Sequence, residues 1–359
     1  MSTPATNPTA TVGDVMRIGR HRVIGGDVAG ESSRPSVVAA QPSTGTPPVV
    51  SVIITCCNGA RWIANAVDSA LAQSYPWLEI IVLDDASSDG SPEILRRYSG
   101  HEHVQLVFQQ RTRGIPATKN AGTARCNGRY IAFLEQDDVW FEKKLARQVA
   151  LLEADASLGM VFVEALVAGP DGGQYQRKRR PAIPVSTKEL IKTFFQCNPV
   201  VSMSSVVIRR DVLAELGGFD ESYVGGDDYE LFLRLVGRYR VTRIDEPLLR
   251  YGWNHGSFSW RAMDRILQDH LLTVERAVAL YPFLEPLQRR RVAQLWLSSA
   301  IRSYEAGATA RAFAWVLQAL RVDPSFIRAI PVFGLMSTGE LGRWALRRRR
   351  WAVLFTRVP

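Results

Sequence analysis

The sequence predicts an α/β fold, a mostly parallel central sheet wound on both sides by helices, followed by an α-helical C-terminal region. Three observations carry this. In the first half, apolar runs of strand length alternate with stretches of helical period, the repeat that builds parallel sheets. Several of those runs are apolar throughout, as in strands covered on both faces. After about residue 258 the strand-like runs stop and helical periodicity continues to the end.

The bulk numbers suit this picture. At 359 residues the chain can hold a large core and two structural units. Its 46% hydrophobic and 22% charged residues are ordinary for a globular protein. A net charge of +9 favours anionic partners such as nucleotides, nucleic acid or an anionic membrane surface. The four cysteines, Cys56, Cys57, Cys126 and Cys197, have no C-x-x-C spacing, so neither a zinc site nor a disulfide framework is indicated, and a reducing cytosol fits. No apolar stretch reaches the roughly 20 residues of a membrane span, and the N-terminus lacks the apolar centre of a signal peptide.

In chain order, residues 1–48 are rich in Ser, Thr, Pro, Gly and Ala and read as a disordered tail. Order is expected from Val49, with a strand to Thr55, a turn at Cys56-Cys57-Asn58-Gly59 and a helix over Ala60 to Gln73. Ile63, Val67, Ala70 and Leu71 fall on one face of that helix. A strand over Leu78 to Leu83 ends in Asp84-Asp85. Pro92 opens a short helix to Tyr98, where its missing N–H costs nothing. A strand over Val104 to Phe108, a helix over Pro116 to Ala124 and a strand over Arg129 to Leu134 follow. A helix is expected over Phe141 to Ala154 and a strand over Gly159 to Val167. A helix capped by Ser186 runs to Phe195, with Glu189 at the capping-box position. Strands at Ser204 to Ile208 and Leu248 to Tyr251 flank helices at Asp211 to Leu216 and Tyr229 to Val236.

The chemistry gathers at strand ends. The apolar run from Tyr130 to Leu134 is followed by Glu135, Asp137 and Asp138, three acids in four positions. In open α/β sheets ligands bind beyond the carboxyl ends of the strands. Clustered carboxylates repel unless a cation or proton offsets them, and hard divalent cations prefer such oxygen ligands. Alone, these acids are equally a solvated cap for the next helix. With Asp84-Asp85 at the same edge they suggest a site for a nucleotide and its metal. Between the pairs, Arg111 to Gly122 offers Arg111, Arg113, Lys119, a glycine turn and a helix N-terminus, groups able to receive a diphosphate. Five acids, Asp220, Glu221, Asp227, Asp228 and Glu230, lie within eleven residues at the start of a helix. An acid there is either a base or an N-cap. His255 is a lone histidine, structural or a ligand.

These landmarks, taken together, resemble a family 2 glycosyltransferase of the GT-A fold. Val50 to Asn58 resembles the family's opening strand and turn, and Glu79 to Gly90 its second strand with the paired aspartates. Arg113 to Gly122, Tyr130 to Trp140, Gly217 to Glu221, Gly226 to Leu231 and Tyr251 to Ser257 resemble its later motifs in the family's order. The resemblance covers residues 49–258 as the catalytic domain, leaving 259–359 as the helical region. It implies an inverting enzyme that uses a nucleotide-activated sugar and a divalent cation, magnesium or manganese. It implies that Thr55, Asn58, Asp84 and Asp85 hold the base and ribose, that Lys119 and Arg113 contact the donor, and that Glu135 takes the first position of the DxD motif. Asp137, with Asp138 next and His255 in reach, would hold the metal, and Asp228 would be the base. The sequence departs from the family at Glu135 for Asp, Asp227 for Glu, Lys119 for Arg and Cys57 for Tyr; only at Lys119 is bidentate geometry lost.

No QxxRW signature follows, so addition of a single sugar is expected rather than polymerisation. A saccharide or lipid-linked hydroxyl is the expected acceptor. Leu341 to Pro359 carries six arginines and no acid among apolar residues, a pattern suited to an anionic lipid surface and to a peripheral place on the inner face of the membrane. Tyr304 to Pro324 looks like a tetratricopeptide-type hairpin without a full array. Two other readings compete. A sugar-phosphate nucleotidyltransferase would need a glycine-rich basic loop after the first strand, and Cys56 to Gly59 is not one. A nucleic-acid binder is opposed by the aspartates, which would repel phosphate backbones.

Overall fold

The computed structural model describes residues 49–168, 175–177, 182–252, 262–326 and 329–339. Met1 to Pro48, the loop with His255, and Leu341 to Pro359 therefore lie outside the described residues. In chain order the elements are β1 (Val50–Cys56), α1 (Ile63–Leu71), β2 (Leu78–Asp84), α2 (Ser91–Arg96), β3 (Val104–Phe108), α3 (Ile115–Thr123), β4 (Tyr130–Glu135), β5 (Val139–Trp140), α4 (Lys144–Ala154), β6 (Leu158–Ala168) and β7 (Tyr175–Arg177). Then come α5 (Thr187–Cys197), a 3-10 turn (Met203–Ser205), β8 (Val206–Arg209), α6 (Arg210–Glu215), α7 (Asp227–Val236), β9 (Arg240–Tyr251), α8 (Met263–Leu280), α9 (Glu285–Glu305), α10 (Thr309–Val322) and α11 (Ala329–Met336).

The strands form one sheet in the order β3-β2-β1-β4-β8-β6-β9-β5, with β7 beside β6. β3, β2, β1 and β4 are mutually parallel, while β8 runs antiparallel between β4 and β6. Strand periodicity decides which face each residue covers. Ile53, Ile81, Leu83, Ile131 and Phe133 enter one core with Phe194, Phe232 and Leu267 from α5, α7 and α8. Val52, Ile54, Ile80, Val82, Ala132 and Leu134 enter the other with Val67, Leu95 and Leu145 from α1, α2 and α4. The sheet is thus covered on both faces, which is why its strands read as continuous apolar runs.

The differences from the sequence reading have local causes. Ser186 precedes α5, but its side chain accepts no capping bond. Ser204 and Ser205 form a 3-10 turn, so β8 starts at Val206. β9 begins at Arg240 rather than near Leu248, because its first half carries Arg240, Arg243, Asp245, Glu246 and Pro247, an unfavourable strand composition. β5 has two residues, too short for any periodicity, yet it pairs antiparallel with Leu249 and Arg250 of β9.

Past β9, α8 packs into the same core as α5 and α7 through Leu267, Leu271, Val274 and Ala277. α9 and α10 form the expected hairpin, turning at Gly307 (φ +86°) and closing over Ala300, Ile301, Tyr304, Ala312 and Val316. Among the described residues no helix is long and apolar enough to cross a membrane.

Candidate active site

Parallel pairing sets the site. Cys56 of β1 lies opposite Asp84 of β2, and Thr55 opposite Glu135 of β4, so both acid groups leave the sheet at one edge. The two turns beyond that edge are laced together. The amides of Cys57, Asn58, Gly59 and Ala60 donate to Gln136 Oε1, Ser87 Oγ, Ser91 Oγ and Asp89 Oδ2 at 2.8, 2.8, 2.9 and 3.0 Å. Asn58 Oδ1 accepts the Ser88 amide at 2.8 Å. With its amides already engaged by side chains, this turn is no phosphate cradle of the nucleotidyltransferase kind.

Asp85 is a rigid acceptor. Its carboxylate takes the amides of Arg113 (2.8 Å) and Gly114 (3.0 Å). The Arg113 side chain is exposed, and these two amides are committed to Asp85 rather than left for a diphosphate. Asp84 is buried; Oδ2 accepts the Ser87 amide at 3.0 Å, while Oδ1 has no hydrogen-bond partner among the described residues. An unpartnered buried carboxylate oxygen is costly, and here it stands at the mouth of the site.

The three acids after β4 separate by environment. Asp138 is 1% exposed, and its oxygens accept the Gly252 amide (2.8 Å) and the Ser202 hydroxyl (3.0 Å). Burial, then Glu135 and Asp137, push its carboxyl well above the ordinary range. Asp138 is thus a bracket joining the loop after β4 to the end of β9 and to the 3-10 turn. The bracket needs Gly252: a Cβ there would stand 1.9 Å from the Asp137 carbonyl oxygen. Glu135 accepts the Ser202 hydroxyl at 3.3 Å and gives its amide to Ser204 Oγ at 2.9 Å. Burial raises its pKa against the pull of Lys119, with Asp137 and Asp227 adding to the rise. Asp137 is half-buried and raised by burial, and among the described residues its carboxylate is met only by its own amide. Glu135 and Asp137 are oxygen donors short of positive charge, a donor set that suits a hard divalent cation. Among the described residues no three acid, His or Cys groups stand in a ready-made metal cluster.

α7 brings the remaining acids. Gly226 (φ +79°) turns the chain, and Asp227 and Asp228 open the helix. Lys119 of α3 reaches Asp227 at 2.9 Å, the two side chains being 4% and 5% exposed. The Lys119 ammonium also sits 5.0 Å above the Phe219 ring. Burial would lower its pKa, but Asp227, Glu135 and Asp228 outweigh burial and hold it charged. Two departures from the family pattern, Lys119 and Asp227, are therefore partners in one ion pair. Asp228 is pushed up to about 6, first by burial, then by Asp227 and Glu135, with Lys119 opposing. One of its oxygens accepts the Tyr229 amide at 2.7 Å.

Thr55, Asn58, Asp84, Asp85, Lys119, Glu135, Asp137, Asp138 and Asp228 thus gather around one sheet edge. Arg113 contributes backbone, and His255 lies outside the described residues. Sequence reasoning missed Ser202, Ser204 and Gly252, which hold the acids, and Gln136, which ties the acid loop to the Cys57 backbone. Their only signal is spatial, since Ser202 and Gly252 lie far along the chain from the acids they bind.

Residues 51–217 match the family described as Glycosyl transferase family 2, and residues 184–281 match Glycosyltransferase like family 2. The chain is 29% identical over 170 residues to the "Putative teichuronic acid biosynthesis glycosyltransferase TuaG" of Bacillus subtilis, covering 47% of this chain and 65% of that one. It is 30% identical over 210 residues to the "Amylovoran biosynthesis glycosyltransferase AmsB" of Erwinia amylovora, covering 56% and 68%. It therefore spans about two thirds of the length of each of these relatives. Among solved structures, S. aureus TarS in complex with UDP is similar in fold at a TM-score of 0.53 and 14% identity, covering 84% of this chain and 91% of that one. The mannosyltransferase PcManGT from Pyrobaculum calidifontis, in complex with GDP-Man and Mn2+, is similar at 0.55 and 21%, covering 89% and 88%.

Proposed function

Because the chain belongs to glycosyltransferase family 2, we propose that it moves a single sugar, with inversion, from a nucleotide-diphosphate sugar to a hydroxyl acceptor. The acceptor is a saccharide or lipid-linked saccharide in assembly of a surface polysaccharide or glycolipid, a reading supported by the names of TuaG and AmsB. The observation that carries the chemistry is Asp228, a half-buried carboxylate pushed up to about 6 beside the acids of β4. A base tuned near working pH is effective, and one base with direct displacement inverts the anomeric centre.

Asp228 takes the proton from the acceptor hydroxyl, and the oxygen attacks the anomeric carbon as the bond to the diphosphate breaks. Lys119 opposes the rise that burial, Asp227 and Glu135 impose on Asp228, which favours the deprotonated carboxylate that a base needs. Asp84, Asp85 and Asn58 supply acceptor oxygens for base and ribose, and Thr55 lines their edge. Asp137 and Glu135 would hold a magnesium or manganese ion, which when bound supplies positive charge for the departing diphosphate. Asp138 keeps that pair in register with β9. Leu341 to Pro359 would lay the protein on the inner face of the membrane.

A thermal-shift panel of UDP-, GDP- and dTDP-sugars with and without Mn2+ or Mg2+ tests donor and metal together. Stabilisation that requires both supports the reading, and a steep loss of binding with salt but no nucleotide-sugar effect overturns it.

A further inference from the structure

The residues just before the base are held by a helix from outside the β-sheet. Asp269 of α8 is 8% exposed, and its Oδ2 accepts the amides of Val224 (2.7 Å) and Gly225 (3.1 Å). The next residue, Gly226, is the αL turn that starts α7. A Cβ on Gly226 would lie 2.6 Å from the His270 ring, and one on Gly225 would lie 2.8 Å from Ile266 Cγ1. Thr273 Oγ1 donates to the Tyr223 hydroxyl at 3.1 Å, and Arg276 pairs with Asp220 at 2.7 Å. Ile266, Asp269, His270, Thr273 and Arg276 recur at helical spacing on one face of α8. That face is a mould for residues 220–226.

We propose that Asp269 is a positioning residue for the reaction, fixing the Val224–Gly226 turn so that Asp228 stands at the acceptor hydroxyl. This rests on Asp228 being the base. The physical case is the satisfaction of two backbone donors by one buried carboxylate. Without it both amides are orphaned in a tight turn, and a tight turn of small residues has little else to hold it. The position of α7's first turn then loosens while the nucleotide edge, held by β1, β2 and β4, stays put.

The test compares Asp269→Ala, Asp269→Asn and Asp228→Asn in the full chain. The probe is slow release of nucleoside diphosphate from UDP-, GDP- or dTDP-glucose with Mn2+, using whichever of the three gives the largest thermal shift. Asp269→Ala is expected to lower turnover about 10- to 100-fold, the scale of a small misplacement of a reacting group, with KM for the donor changed less than about twofold. Asp269→Asn keeps an acceptor oxygen and is expected to recover most of the loss. Amide hydrogen exchange of residues 224–228, measured without ligand, is expected to rise in Asp269→Ala and not in Asp269→Asn. Should Asp269→Ala fail to fold, Asp269→Glu, which displaces the oxygen by one methylene, is expected to fold with lowered turnover and unchanged KM. Wild-type turnover and exchange in the Ala or Glu variant, with Asp228→Asn inactive, overturns the proposal. Activity in Asp228→Asn would instead remove the base reading, and hydrogen exchange would still decide whether Asp269 holds the turn.

Discussion

At the level of single residues, the acids of this site divide by how completely their oxygens are used. Each oxygen of Asp138 and Asp85 already accepts one hydrogen bond, from Gly252, Ser202, Arg113 and Gly114, whereas among the described residues the Asp137 carboxylate is met only by its own amide. Substituting Asp138 should therefore damage the fold as well as activity, and substituting Asp137 should remove metal dependence with little change in melting temperature. Calorimetry alongside a Mn2+ titration separates the two. Asp228→Asn is expected to lose about 10²- to 10⁴-fold in transfer, the usual worth of a positioned base, with a wild-type circular dichroism spectrum. The pH profile follows from sign. A base must be deprotonated, so kcat/KM should rise as pH passes through about 6. Lys119 is the cation that opposes the rise of Asp228, so Lys119→Met should move that limb to higher pH. A limb unchanged by Lys119→Met would separate Lys119 from the titration of Asp228. The sequence showed which acids were present but not which were spent, because their partners, Ser202, Gly252 and Lys119, come from distant stretches.

At the level of elements, β1, β2 and β4 were legible since each is a mostly apolar run buried on both faces, and the more exposed edge strand β3 agrees residue for residue with Val104 to Phe108. β5 and the first half of β9 were not. Their pairing depends on register between distant segments, and β9 carries charges and a proline that mask it. Yet this pair brings Gly252 against the acid loop. Gly252→Ala should force β9 away from Asp137 and weaken nucleotide-sugar binding more than it lowers the melting temperature, as read by a thermal shift with and without donor. α8 was legible as a helix but not as part of the site, because nothing in its periodicity names the loop it covers. Its His270 is pushed down to about 3 by burial and by Arg291 and Arg302. The unfolded chain takes up that proton near 6.5 and the folded chain only near 3, so the stability that neutral His270 contributes is full above about 6.5 and fades as pH falls. Melting curves of wild type and His270→Gln between pH 7.5 and 5 should show the variant losing less on acidification.

At the level of the whole molecule, the core does not stop where the strands do. Leu267, Leu271 and Val274 of α8 share one cluster with Phe194 and Phe232, across the boundary near residue 258 that the change of periodicity suggests. Separately, Leu341 to Pro359 is proposed as the lipid-facing end. Its deletion should lower recovery with anionic vesicles and leave soluble-donor turnover intact, and equal recovery by sedimentation would refute it. The mould formed by α8 bears on how such enzymes are recombined. Exchanging the C-terminal cassette between relatives to alter acceptor choice invites a splice after the last strand. Here that splice would graft a foreign helix onto the native 220–226 turn and leave its amides facing mismatched side chains. A crossover placed after Leu280 keeps turn and helix as one inherited unit, so hybrids joined there should retain turnover that hybrids joined near residue 258 lose.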